Sequence, residues 1–298
     1  MARASLSAAA IPREHELKAF ARLAGRLIAV DPVRAGPREA RRRRPGRGQQ
    51  FLDHREYRPG DDLRWINWSQ TARLGRPIVR EFQAEGSRDW VLCVDGSSSM
   101  AVAGFAKWRQ ATRLAAALGY LLLDAGHRVG LAVFAAGVER ATVPGRGPAQ
   151  YLRLARSLGA YTPSATGAPS RLATCAPHLS GHGGAIVLSD FLAADGMRTD
   201  LLRLAAMCEP LHALAITAAA ERRLPAHGPY ELVDVESGAR RRVPGDHESD
   251  AAADRAAARL GAELAQFART AGIVLGAADA GRPWQSVLLA HLRGGRVP

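Results

Sequence analysis

Lysine is nearly absent from this chain. Of 41 lysines and arginines only Lys18 and Lys107 are lysines, and neither stands behind a glycine-rich turn. A phosphate-cradling Walker A loop needs that arrangement, so ATP hydrolysis by the chain itself is discounted. Cysteine is scarce too. Cys93, Cys175 and Cys208 form no CxxC pair, which leaves zinc ribbons and disulfide frameworks without support and suits a reducing compartment. Long apolar runs are also missing: Leu114 to Leu123 is about half of the roughly 20 residues a spanning helix needs. The apolar stretch in the opening MARASLSAAAIP is too short for a signal peptide. The expectation is a soluble, cytoplasmic protein with no transmembrane segment.

What is present is enough for a sizeable core: 298 residues, 47% of them hydrophobic, fit one large domain or two ordinary ones. The net charge of +13 is concentrated early, since residues 1–50 hold twelve basic and four acidic side chains. Arg41, Arg42, Arg43 and Arg44 lie between Pro37 and Pro45-Gly46, a setting for an extended, solvated linker. Ahead of them, Leu17, Phe20, Ala21, Ala24, Leu27 and Ile28 fall near helical spacing, which predicts an amphipathic helix over residues 14–30.

From Asp89 onward, strand-length apolar runs alternate with helix-length segments, the pattern of a mostly parallel α/β sheet with helices on both faces. Strands are predicted at 90–94, 129–134, 185–188, 211–216 and 273–276, and helices at 107–125, 149–158, 171–179, 197–208, 251–271 and 284–292. Ala136-Gly137 followed by Val138 to Val143 predicts one antiparallel edge hairpin.

The strand Trp90 to Val94 ends in Asp95 and is followed by Ser97 and Ser99 at alternate positions. In open α/β sheets, ligands gather beyond the carboxyl ends of the strands, so these oxygens are presented together. The strand over 185–188 ends in Ser189-Asp190 and brings a second carboxylate to the same edge. Oxygen donors without thiolate or imidazole suit a hard divalent cation, Mg²⁺ or Mn²⁺. Two carboxylates with neutral hydroxyls leave the cation partly unneutralised, so an acidic residue of a partner could complete its shell. The competing reading makes Asp95 a helix cap and the serines turn ligands. No general base stands beside a nucleophile, so binding is favoured over catalysis.

Asp95-Gly-Ser97-Ser-Ser99 with Asp190 resembles the metal-ion-dependent adhesion site of von Willebrand factor A domains, whose pattern is D-x-S-x-S with a distant Thr and a distant Asp. The resemblance implies that fold and assigns the distant Thr to Thr166, with Thr162 as competitor.

Residues 46–86 carry a second signature, with Gly60-Asp61-Asp62-Leu63-Arg64-Trp65-Ile66-Asn67-Trp68 at its centre, continuing through Arg73-Leu74-Gly75-Arg76 and Val79-Arg80-Glu81-Phe82. Together with Asp95 to Met100 and Lys107-Trp108, it resembles the bacterial family called domain of unknown function 58, DUF58, over roughly residues 45–295. Asn67 departs from the usual Asp, and His54 stands where an aromatic or other residue is usual. The resemblance implies a non-enzymatic adaptor working with a MoxR-type AAA+ ATPase in chaperone-like or assembly roles, the ATPase or another acidic protein ligand engaging the metal. The chain then divides into a basic helix and linker (1–45), a conserved small module (46–88) and a von Willebrand factor A-like domain (89–298). Within the module, Phe51, Tyr57, Trp65, Ile66 and Trp68 are expected to form a small core, and Asp61 and Asp62 to accept turn amides.

Two alternatives stay open: nucleic-acid or anionic-surface binding through Arg41 to Arg44, although no aromatic side chains interleave with that run, and a Mg²⁺-dependent hydrolase. His178 and His182 have metal-ligand spacing, but the prolines and glycines around them disfavour a helix there. His127, His212 and His291 read as isolated.

Overall fold

The computed structural model describes residues 11–28, 50–56, 66–83, 88–164, 167, 169–179, 183–192, 194–222 and 228–294. Helix α1 (Glu14–Ile28) turns Leu17, Phe20 and Ala24 inward, where all three are buried. The Phe20 ring meets Trp284 edge-on at 5.0 Å between centroids.

Strands β1 (Gln50–Glu56) and β2 (Ile78–Gln83) form an antiparallel pair of their own. Between them lies α2 (Trp68–Leu74), capped by Asn67, whose Oδ1 accepts the Gln70 N–H at 3.3 Å, and closed by Gly75 at φ 66°. Helix α2 buries none of its residues, and Trp68 is 69% exposed. The expected aromatic core therefore does not include Trp68, which stands at the first position of α2 with its side chain in solvent. Tyr57, Asp61, Asp62, Trp65 and the run Arg41 to Arg44 lie outside the described residues.

The main sheet comprises β3 (Asp89–Asp95), β4 (Arg128–Phe134), β5 (Val138–Gly145), β6 (Gly184–Ser189), β7 (Leu211–Thr217) and β10 (Val274–Asp279). Their order is β10-β7-β6-β3-β4-β5, and all pairs are parallel except the β4–β5 edge hairpin. Strand β3 is central because its side chains are apolar on both faces. Trp90, Leu92 and Val94 join one core with Leu114, Leu118 and Leu288, whereas Val91 and Cys93 join the other with Leu201, Leu204 and Ala268. Each fully buried leucine contributes about 1.5–3 kcal/mol of transfer free energy.

The first core is covered by α1, α3 (Val102–Asp124), α4 (Gly147–Gly159) and α7 (Trp284–Leu292), the second by α5 (Ala194–Met207) and α6 (His247–Ala271). Helix α3 is interrupted near its start by left-handed backbone at Ala103, Gly104 and Phe105, with φ of 53, 62 and 63°. The buried Gln110 anchors it by donating from Nε2 to the carbonyls of Asp279 and Arg282, at 3.2 and 3.0 Å.

Two departures from the sequence pattern have local causes. Residues 172–178 form a 3₁₀ turn instead of the expected α-helix, with Pro177 inside it supplying no N–H for a longer ladder. Between β7 and α6 the chain forms a separate hairpin of β8 (Tyr230–Val233) and β9 (Arg240–Val243), four residues each and largely exposed. Among the described residues, no helix is long and apolar enough to cross a membrane.

Candidate metal centre

Parallel strands β3 and β6 end side by side, so Asp95 and Ser189-Asp190 arrive at one edge, as their register requires. Asp95 is wholly buried and its carboxylate accepts three hydrogen bonds. Oδ1 accepts the Ser97 N–H at 2.9 Å, and Oδ2 accepts the hydroxyls of Ser189 at 2.6 Å and Ser170 at 2.9 Å. Ser189 Oγ in turn accepts the Phe191 N–H at 3.0 Å, which fixes its hydroxyl toward Asp95. Phe191 itself is held at φ 54°, an uncommon conformation for a bulky residue and one that costs about 1–3 kcal/mol.

Ser97 occupies the cap position of the 3₁₀ turn Ser98–Ala101, yet its side chain makes no capping hydrogen bond. Its Oγ instead lies 3.1 Å from Ser99 Oγ, both residues being buried. The Ser97 side chain thus does not cap this turn, contrary to the competing expectation, whereas Asp95 does accept a turn amide, the Ser97 N–H. Gly96, between Asp95 and Ser97, is required by a close approach: a Cβ there would run into the Tyr161 ring, whose hydroxyl donates to the Gly96 carbonyl at 2.9 Å.

Asp190 is met by a cation. Lys107 Nζ, fully buried, donates to Asp190 Oδ2 at 2.7 Å and lies 2.5 Å from Glu221 Oε1. Glu221 comes from the 3₁₀ turn Ala219–Arg222 that follows β7. Burial, reinforced by the Asp190 charge, pushes the Asp95 carboxyl up to about 6, against the pull of the hydrogen bonds from Ser189 and Ser97. Burial alone would lower the Lys107 ammonium, but Asp190 and Glu221 outweigh it and hold its pKa above the usual value.

These residues fit a small hard cation. Adjacent ligands of an octahedral Mg²⁺ at about 2.1 Å lie about 3.0 Å apart, close to the Ser97–Ser99 hydroxyl separation. Burial and the neighbouring Asp190 keep the Asp95 charge costly despite its three hydrogen bonds, a cost that a cation would relieve. Among the described residues no group of three or more His, Cys, Asp or Glu side chains gathers as a metal cluster, so the donor set rests on hydroxyls beside carboxylates.

Of the five residues expected from sequence, Asp95, Ser97, Ser99 and Asp190 come together at this edge. Thr166 lies outside the described residues, and its competitor Thr162 is exposed. Sequence reasoning missed Ser170 and Glu221, and gave no role to Ser189 or Lys107. Ser189 left a trace as the strand-end residue beside Asp190, and Lys107 one as part of the Lys107-Trp108 pair in the family signature.

At the opposite, amino-terminal end of the strands, His127, His212 and His291 are not isolated. His127 and His212 flank Trp90, and His212 Nδ1 lies 3.0 Å from His291 Nε2. Burial, with the His291 charge as a lesser cause, pushes His212 down to about 3, and burial pushes His291 down to about 4. His182 lies outside the described residues, and His178 ends the 3₁₀ turn Leu172–His178.

Comparison with known proteins gives one family: the model described as protein of unknown function DUF58 matches residues 53–262. Uncharacterized proteins of Mycobacterium bovis and Mycobacterium tuberculosis are 32% identical over 247 residues, which covers 80% of this chain and 77% of theirs. Among solved structures, the conserved hypothetical protein BatB from Bacteroides thetaiotaomicron aligns with 12% identity and a TM-score of 0.39, over 69% of this chain and 97% of that one. An aerotolerance-related membrane protein from Bacteroides fragilis aligns with 12% identity and a TM-score of 0.37, over 69% and 98%.

Proposed function

This chain belongs to the DUF58 family, and on that premise we propose that it is a non-enzymatic, divalent-metal-dependent protein-interaction adaptor, built on a domain of the von Willebrand factor A type and acting in the cytoplasm. The observation that carries the reading is the buried Ser97–Ser99 hydroxyl pair, set beside a wholly buried carboxylate whose charge burial and Asp190 make costly. Ser97 and Ser99 would hold Mg²⁺ or Mn²⁺ through their hydroxyls. Asp95 and Asp190 would do so directly or through water, and Thr166 is the further donor that the family pattern implies. The cation supplies a coordination position that an acidic side chain of a partner can fill, since Mg²⁺ keeps exchangeable waters.

The chain's own residues do the rest. Ser189 and Ser170 orient Asp95, Phe191 fixes Ser189, and Tyr161 holds the Gly96 turn. Binding is favoured over hydrolysis because among the described residues no histidine is hydrogen-bonded to the Ser97 and Ser99 hydroxyls, and Lys107 is already bridged by two carboxylates. The partner class implied by the family resemblance is a MoxR-type AAA+ ATPase, which would present the acidic ligand.

The test is capture of that ATPase by the full chain in MgCl₂ and in EDTA, repeated with Ser97→Ala. Capture that needs both the metal and Ser97 is the expected result. Capture unchanged by EDTA would remove the metal from the mechanism, and no capture in either buffer would remove this partner.

A further inference from the structure

Lys107 is the feature of this edge that the metal reading does not use. In a chain with thirty-nine arginines and two lysines, the cation buried here is a lysine. A compact ammonium with rotatable donors fits between two carboxylates where a planar guanidinium demands a wider, forked site. Lys107 comes from α3, Asp190 from the end of β6 and Glu221 from the turn after β7, so one ammonium joins three elements that converge on the edge.

The charges explain its place. Asp95 and Asp190 are nearly inaccessible, and the Glu221 side chain is 21% exposed. Asp190 repels Asp95 on one side and Glu221 on the other in a poorly polarisable medium. With the one ammonium the ionised cluster carries −2, the charge a single divalent cation cancels. Without it the deficit would be −3, and the edge would be hard to close before metal arrives.

We propose that Lys107 is a built-in counter-cation of the candidate metal site: it lets the edge fold without metal and, by occupying part of the anionic field, holds the affinity for a divalent cation down so that binding stays reversible. The inference rests on the metal reading above. A fixed positive charge beside a cation site opposes the cation, and Glu221 offsets that opposition. Removing Lys107 therefore tightens metal binding and weakens the metal-free fold, while removing the Glu221 charge does the reverse to affinity.

The experiment measures Mg²⁺ binding by calorimetry, and urea unfolding midpoints in EDTA and in MgCl₂, for the wild type, Lys107→Met, Glu221→Gln and the double variant. Lys107→Met is expected to bind Mg²⁺ about tenfold or more tighter than wild type, from one unit charge removed near a buried site. Its EDTA midpoint falls and Mg²⁺ restores it. Glu221→Gln binds about tenfold or more weaker, and the double variant returns toward wild type in both readouts. Should Lys107→Met fail to fold even in MgCl₂, the ordering of Glu221→Gln, wild type and the double variant decides.

Affinity unchanged or weakened in Lys107→Met, or a double variant as unstable in EDTA as Lys107→Met, would overturn the inference. A Mg²⁺ response in Lys107→Met with none in the wild type would keep the counter-cation role and overturn metal use by the native protein. No response in any of the four proteins would overturn both.

Discussion

Replacing Asp95 by Asn separates the two demands on this carboxyl. In the metal-free protein its pKa is pushed from 3.8 up to about 6, chiefly by burial. Above pH 6 the group is ionised in both folded and unfolded chains, so the whole cost of burying the charge falls on the folded state. That shift of about two units, at 1.36 kcal/mol each, amounts to about 3 kcal/mol. The cost fades as pH drops through 6 and is gone below 3.8. At pH 5 it is about half as large. Asn has the same shape and no charge. Its Oδ1 can still accept the Ser97 N–H, and the Ser189 and Ser170 hydroxyls can rotate to accept from its amide. Urea unfolding in EDTA at pH 7.5 should therefore find Asp95→Asn more stable than wild type by about 3 kcal/mol, with the gap narrowing at pH 5. MgCl₂ should raise the wild-type midpoint and leave the variant's unchanged. An Asp95→Asn protein less stable than wild type in EDTA at pH 7.5 would refute the reasoning, because hydrogen bonding to the charge would then outweigh the cost of burying it.

The buried histidines carry the opposite pH sign. With folded values near 3 for His212 and 4 for His291 against 6.5 unfolded, both stay neutral in the fold. Stability is level above pH 6.5 and falls as the unfolded chain takes up protons, by about 2 kcal/mol per histidine at pH 5. Measured in the Asp95→Asn background, so that Asp95 does not mask it, the urea midpoint should drop between pH 7.5 and pH 5; a level profile would contradict the burial of this pair. Gly96→Ala places a methyl group against the Tyr161 ring and should destabilise by about 1–3 kcal/mol in thermal unfolding. A melting temperature unchanged from wild type would show that the turn has room to yield.

Strand β3 was legible because Trp90 to Val94 is apolar at every position, which only a strand buried on both faces accommodates. Asp95, Ser97 and Asp190 followed from it, since residues just past parallel strand ends must share one edge. Ser170 was hidden because a hydroxyl in an irregular loop leaves no periodicity to say where the loop folds back. The Lys107–Asp190–Glu221 bridge was hidden for a related reason: its members sit on three separate elements, and an isolated Lys or Glu in sequence reads as surface. The β8–β9 hairpin escaped because Arg240-Arg241-Arg242 looks like a solvated charge run and both strands are short and exposed. At residues 171–179 the apolar spacing predicts a helix, and Pro177 limits it to the 3₁₀ turn Leu172–His178.

The central claim is that the oxygens of Ser97 and Ser99, beside Asp95, hold a hard divalent cation. Titrating Mn²⁺ into the full chain while following its solution electron paramagnetic resonance signal tests this directly, because bound Mn²⁺ loses the sharp signal of the free ion. The account predicts signal loss saturating at one Mn²⁺ per chain, competition by Mg²⁺, and no loss with the Ser97→Ala/Ser99→Ala protein. A signal that the wild type leaves unchanged, or equal loss with the double variant, would contradict it.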